Sequence, residues 1–218
     1  MADLVNYYRR RVQEYEEVYN QPDPERQKEQ DLMAEAMKDH LRDRDVIDLA
    51  CGTGYWDRIL SGTAKKITGI DISQEVLKIA MMKEYRCPTE FRIGDAYDPP
   101  FGKATFGGAL ATMWISHIPR GRVHGFIASM HRVLKKGSRV FVADNAYIEG
   151  VGGRLVRREG DENTYKLRTL RDGSEHLVLK NYYTAAELVE LFGRYVEGLI
   201  EGNVYYGLGY WWARYTLA

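Results

Sequence analysis

The stretch Val46-Ile47-Asp48-Leu49-Ala50-Cys51-Gly52-Thr53-Gly54 constrains this chain more than any other. Val46, Ile47 and Leu49 make the short apolar run that a buried parallel strand needs. The run breaks at Gly52-Thr53-Gly54, where two glycines let the backbone turn tightly and approach a ligand at a distance a Cβ would forbid. Tyr55-Trp56-Asp57-Arg58-Ile59-Leu60 then opens a helix. Strand, glycine turn and helix start together form a nucleotide-type cradle at a strand's carboxyl end. The next element ends in an acid. Residues 66–71 read as a second strand, Asp71 lies seventeen residues beyond Gly54, and a carboxylate there can accept both hydroxyls of a ribose.

A Gly-x-Gly pair alone fits a bare strand-to-helix turn with no ligand. Here the preceding strand, the following helix and the acid-tipped second strand come in order, which argues for a ligand. Asp57 stands where the dinucleotide fingerprint has its third glycine, so the pattern favours a nucleoside without a pyrophosphate. Asp48-Leu49-Ala50-Cys51-Gly52-Thr53-Gly54 followed by Gly69-Ile70-Asp71-Ile72-Ser73 resembles the class I, Rossmann-like S-adenosylmethionine-dependent methyltransferases of small-molecule type. The motifs cover about residues 25–144, and the last thirty more loosely. Ala50 replaces a glycine frequent in that family, at a position where only the carbonyl is required. The resemblance implies cofactor contacts at Asp48, Ala50, Gly52, Gly54, Asp71, Ile72, Asp95, Ala96 and Met113, with S-adenosylmethionine as methyl donor and S-adenosylhomocysteine as product.

Lys plus Arg equals Asp plus Glu at 31 each, so no electrostatic case exists for a nucleic-acid partner. Cys51 and Cys87 lie 36 residues apart with no CxxC, which fits a reducing cytosol and predicts neither a disulfide nor a metal centre. No apolar run approaches the roughly 20 residues of a membrane span. The start, Met1-Ala2-Asp3-Leu4, is no signal peptide. The expectation is a cytoplasmic monomer or homodimer with no membrane partner.

The 218 residues suffice for one α/β domain. Leu4, Tyr8, Val12, Tyr15 and Tyr19 fall at helical spacing over 3–20, either as a core-facing helix or, as the resemblance implies for residues 1–40, a lid whose Tyr7, Tyr8 and Tyr15 wall the acceptor pocket. Asp23-Pro24 caps a second helix with Leu32, Met33, Ala36 and Met37 on one face. The first strand spans 45–51. Ser73 starts a helix running to about Tyr85, and Thr89–Ile93 is a third strand. It leads into Gly94-Asp95-Ala96, an Asx-type turn or, by resemblance, the adenine contact. A fourth strand, 104–111, runs into Met113-Trp114-Ile115-Ser116-His117, the loop expected beside the transferable methyl. A helix over 120–134 ends on Lys135-Lys136-Gly137, and a fifth strand, 139–143, is tipped by Asp144-Asn145. Residues 163–171 and 175–182 alternate around Asp172-Gly173, which reads as an antiparallel hairpin inserted within 145–182; Gly150, Gly152 and Gly153 make its approach flexible. Thr184-Ala185-Ala186-Glu187 is a capping box for the last helix, 185–193, and closing strands follow near 195–204 and 208–216.

These elements predict a doubly wound α/β fold. The seven-stranded, mostly parallel sheet with a reversed final strand follows from the resemblance. The implied activity is methyl transfer to a small aromatic, amine, hydroxyl or carboxyl acceptor. His117 is the candidate base and Trp114 a wall of the transfer site, both also touching substrate with Tyr8, Tyr15, Asn145 and Tyr147. Two alternatives stand beside it: a non-catalytic nucleoside-binding protein, and a nicotinamide-dependent reductase. The missing third glycine and the absence of a Tyr-x-x-x-Lys pair weigh against the reductase.

Overall fold

The computed structural model describes residues 22–196, 199 and 201–218, with Glu16 and Tyr19 ahead of them. The helix expected over 3–20, with Tyr7, Tyr8 and Tyr15, lies outside the described residues. The chain runs α1 (Pro24–His40), β1 (Asp45–Leu49), α2 (Tyr55–Leu60), β2 (Lys66–Asp71), α3 (Gln74–Met81), β3 (Thr89–Ile93), β4 (Phe106–Thr112), α4 (Val123–Arg132) and β5 (Leu134–Asn145). It continues through β6 (Arg154–Arg157), β7 (Thr164–Thr169), β8 (Glu175–Leu179), α5 (Ala185–Gly193), β9 (Val204–Tyr206) and β10 (Tyr210–Thr216).

Seven strands form one sheet in the order β3-β2-β1-β4-β5-β10-β9. The first five are parallel, and β10 runs antiparallel to both β5 and β9. The doubly wound α/β fold with a reversed last strand is therefore present. Alternation along the central strands supplies two cores. Ile47, Leu49, Ala109, Ala111, Val140 and Val142 face Phe126 and Ile127 of α4 and Leu188 and Phe192 of α5. Val46, Leu110, Phe141 and Ala143 face Met33 and Met37 of α1 and Trp56 and Leu60 of α2.

Several local features follow sequence chemistry directly. Asp23 caps α1, accepting from the Arg26 N–H at 3.1 Å. Thr184 and Glu187 close a reciprocal capping box on α5. Leu32, expected on the apolar face of α1, is instead half exposed. The buried face carries Glu29, whose carboxylate accepts from the Gly209 N–H at 2.7 Å and the Tyr210 N–H at 3.2 Å.

Other boundaries are corrected. β1 stops at Leu49 and α3 at Met81. β4 starts at Phe106 and α4 at Val123, behind a 3-10 turn at Arg120–Arg122. Gly137 does not cap α4: it lies at φ +75° in the bulge where the β4–β5 register jumps from Phe106↔Leu134 to Gly108↔Arg139. The first closing strand is the three-residue β9 at 204–206, not 195–204. The insert is a three-stranded antiparallel sheet, β6-β7-β8, rather than a hairpin. Arg154-Leu155-Val156-Arg157, which forms β6, is too short to show a period in the sequence. Gly153 is not a flexible approach: at φ +92° a Cβ there would lie 2.1 Å from the Leu167 carbonyl oxygen, so only glycine lets β6 close on β7. Among the described residues no helix is long and apolar enough to cross a membrane.

Candidate functional site

The chain winds outward in opposite directions from β1 and β4, and that switch point opens a crevice at the carboxyl ends of the parallel strands. β1 enters it through Ala50–Gly54, where Ala50, Gly52 and Gly54 take φ +62°, +57° and +72°. A Cβ on Gly54 would come within 2.5 Å of the Tyr85 hydroxyl oxygen, so packing and backbone both demand glycine. Ala50 is a different case. Its left-handed backbone is one that glycine adopts freely and alanine only under strain. Met113, where β4 enters its loop, carries the same strain at φ +55°.

Asp71 ties the crevice together. Its Oδ2 accepts from the Gly52 N–H at 3.0 Å and its Oδ1 from the Ser73 N–H at 2.9 Å. Burial pushes this carboxyl up, against the pull of those two N–H groups. Each oxygen keeps a lone pair for a further donor. Ile72 beside it is 53% exposed, an apolar surface left open next to a carboxylate. Asp95 makes an Asx turn, accepting from the Tyr97 N–H at 2.8 Å with one oxygen, and Ala96 is buried behind it.

Asp48 shares the strand face of Val46 and so meets α2, which presents Asp57. Both side chains are fully buried, and among the described residues no other group donates to their carboxyl oxygens, so the two acids face each other. Burial is the largest influence on each, and both carboxyls are pushed up; for Asp48 the Asp57 charge adds to it. Asp57, noticed in the sequence only as a missing glycine, is thus half of a buried acid pair beneath the cradle. Glu16 and Tyr19 reach this side too: Glu16 accepts from Thr53 Oγ1 at 2.6 Å and pairs with Lys83, and Tyr19 stacks on Tyr55 at 4.0 Å.

The β4 loop forms the other wall. Trp114 packs edge-on against Tyr97 at 5.9 Å and Phe126 at 6.5 Å, and its ring N–H has no partner among the described residues. His117 is buried, 5% exposed, and its Nδ1 lies 2.7 Å from the Leu179 carbonyl oxygen at the end of β8. A carbonyl accepts, so Nδ1 carries the proton and the ring is fixed in orientation. The insert is sewn to this loop by residues that the sequence did not reveal as functional. Lys180, 2% exposed, donates to Ser116 Oγ at 2.6 Å, Asn145 Oδ1 at 3.0 Å and Asp144 Oδ1 at 3.1 Å. Asp144 also accepts from the Ser116 N–H and hydroxyl, and the Asn181 N–H donates to the Ser116 carbonyl at 2.7 Å. An acid at a strand tip with no nearby cation in sequence was the one available signal of a distant lysine. Asn145 and Tyr147 do lie at this seam, and Tyr147 packs edge-on against Tyr182 at 5.2 Å. Tyr8 and Tyr15 lie outside the described residues.

The methyltransferase-domain family matches residues 46–137. The O-methyltransferase cnsE of Penicillium expansum is 35% identical over 104 residues, 45% of this chain and 37% of that protein. A probable 18S rRNA (guanine-N(7))-methyltransferase of Dictyostelium discoideum is 29% identical over 126 residues, 51% of this chain and 43% of that protein. The chain thus aligns with less than half the length of these curated relatives. Structural likeness extends further. A DhpI–SAH complex superposes with a TM-score of 0.75 at 27% identity, over 98% of this chain and 94% of that one, and a DhpI–SAM–HEP complex does so at 26% identity.

Proposed function

We propose that this chain is a class I S-adenosylmethionine-dependent methyltransferase and that it moves a methyl group from S-adenosylmethionine to a small-molecule acceptor. The observation that carries this is Asp71. It holds the Ala50–Gly54 turn by Gly52 and still offers lone pairs beside the open apolar surface of Ile72. That combination suits a ribose next to a purine. Asp48, Ala50, Gly52, Gly54, Asp71, Ile72, Asp95, Ala96 and Met113 are the residues that would hold the cofactor. Bound there, the cofactor supplies an electrophilic methyl on a sulfonium sulfur.

The protein's share is positioning, since in-line transfer gains most of its rate from proximity and orientation. Tyr97 and the buried Phe126 pack edge-on against Trp114 and hold its ring in place, so Trp114 is the aromatic face offered on this side. His117 is anchored on the Leu179 carbonyl through Nδ1, which fixes the ring that would act as base. Glu16 on Thr53 and Tyr19 on Tyr55 support a lid role for residues 1–40, and Lys180 supports the 145–182 insert as a wall of the acceptor pocket. Equal numbers of cationic and anionic residues favour a small acceptor over the ribosomal RNA that the Dictyostelium relative's name specifies. Two unbridged cysteines fit a cytosolic setting.

Calorimetry with S-adenosylmethionine, S-adenosylhomocysteine and NAD tests the reading, with binding of the first two expected. Binding of NAD alone would establish the reductase alternative. Cofactor binding without transfer to any of a panel of amines, phenols and carboxylates would leave the non-catalytic alternative standing. His117→Gln, followed across pH at saturating cofactor, tests the base. A large fall in turnover with cofactor affinity kept supports it; an unchanged profile removes His117 from proton transfer.

A further inference from the structure

Lys180 fixes more than the insert. An ammonium has three donors and no acceptor. Its partners are the Ser116 hydroxyl, the Asp144 carboxylate and the side-chain oxygen of Asn145. Facing a cation, the Asn145 amide must present oxygen rather than nitrogen, so its flip is settled by chemistry. The Asn145 NH₂ group is therefore turned away from Lys180, and it has no partner among the described residues. Asn145 is half-buried at the carboxyl end of β5, one strand from the β4 tip. Beside it, Tyr182 packs on Tyr147, so the amide and two aromatic rings share the seam between sheet and insert.

Local charge points the same way. Lys166 is 1% exposed and donates to the carbonyls of Val151 and Gly153, with its Nζ 5.2 Å from the Tyr147 ring centre and 5.7 Å from that of Tyr182. No carboxylate pairs with it among the described residues. Arg168, whose charge bears on both Lys166 and Tyr182, has a buried Nε–H with no partner among the described residues. Lys180 is paired with Asp144, so Lys166 and Arg168 remain the cations of the insert beside Tyr147 and Tyr182, although burial pulls the Lys166 ammonium down toward its neutral form.

From the oriented Asn145 amide and these cations, we infer that the acceptor is an oxyanion, a carboxylate or a related ionised oxygen acid, and that Asn145 is its specificity-determining donor. This rests on the methyltransferase reading and narrows it. An oxyanion lone pair forms the new O–C bond, the C–S electron pair stays on sulfur, and anion plus sulfonium become a neutral ester and a thioether. No proton leaves the acceptor, so no base is required. His117, held on Leu179, then serves by positioning the insert.

The test uses pairs of probes that share a skeleton: phenylacetate with phenethylamine, and benzoate with benzylamine. Calorimetry on the protein saturated with S-adenosylhomocysteine should show the carboxylate binding at least tenfold more tightly than the amine. Asn145→Asp keeps an oxygen for Lys180 but removes both amide donors. It should erase that preference while leaving S-adenosylhomocysteine affinity within about twofold. Lys180→Met combined with Asp144→Asn frees the amide to flip without stranding a charge. It should reduce the preference and raise the acceptor KM more than it lowers kcat, which a purely structural loss would not do. An equal or absent response to both members of each pair, a preference for amines, or a preference unchanged in Asn145→Asp overturns the inference. Failure of the wild-type protein to bind S-adenosylhomocysteine overturns the methyltransferase reading itself.

Discussion

The two ends of the crevice treat their buried polar groups in opposite ways. Under the β1 turn, Asp48 and Asp57 are buried against each other with no other donor among the described residues, and Ala50 holds a backbone conformation suited to glycine. Where the β4 loop meets the end of β8, Lys180, Asp144, Ser116 and Asn181 instead form one connected hydrogen-bonded network, apart from the Arg168 Nε–H on β7, which has no partner among the described residues. Unsatisfied groups and strain persist only where surrounding structure enforces them, and they concentrate where a ligand can relieve them. A connected buried network specifies one arrangement. The first end is built to respond to a ligand, the second to keep a shape.

Breaking the connected end should cost most. Lys180→Met strands the buried Asp144 charge and should destabilise the fold by about 3–5 kcal/mol, read as a fall in the denaturation midpoint. Adding Asp144→Asn should recover much of that loss. If Lys180→Met is silent, the seam is not a connected network and the contrast fails.

Asp71→Ala comes next. Removing charge-assisted hydrogen bonds to the ribose, with the clamp on Gly52, should weaken S-adenosylhomocysteine by about 1.5–3 kcal/mol, roughly 10- to 150-fold. Calorimetry measures it, and an unchanged dissociation constant would assign Asp71 a purely structural task.

At the unsatisfied end, relief should stabilise. The Asp57 carboxyl is raised from an ordinary 3.8 to about 7, chiefly by burial. The folded state therefore holds a proton that the unfolded chain releases near pH 4. The stability linked to that proton is present below pH 4 and is lost as pH rises through about 7. Asp57→Asn replaces the acid with an amide that can donate to Asp48. It should stabilise the ligand-free protein at pH 8 by about 1–3 kcal/mol, and by less at pH 5. Equal gains at both pH values would show that no proton is linked to this pair. The smallest effect belongs to Ala50→Gly, where relief of the left-handed alanine, offset by glycine's greater freedom when unfolded, should raise stability by about 0.5–1 kcal/mol in chemical denaturation. A loss instead would mean that the turn is not strained at Ala50.

What could be read from the sequence was local. The strand–glycine–helix order at 46–60, Asp71 seventeen residues on, the Asp23 and Thr184 caps and the Asp172-Gly173 turn all depend on neighbours within a few residues or on one fixed spacing. The same reading placed Thr89–Ile93 and Ala185–Gly193 correctly. Tertiary structure decided everything that depends on which distant side chains meet. Lys180 looks in sequence like the solvated end of an alternating strand, and only the docking of the insert carries it 36 residues back to Asp144. Asp57 shows in sequence only as a missing glycine until α2 lays it over Asp48. Glu29 lies among exposed charges of α1 until the β9–β10 turn closes its N–H groups around it. A buried charge is tolerated only where the fold supplies its partners, and periodicity along one segment carries no record of partners on another.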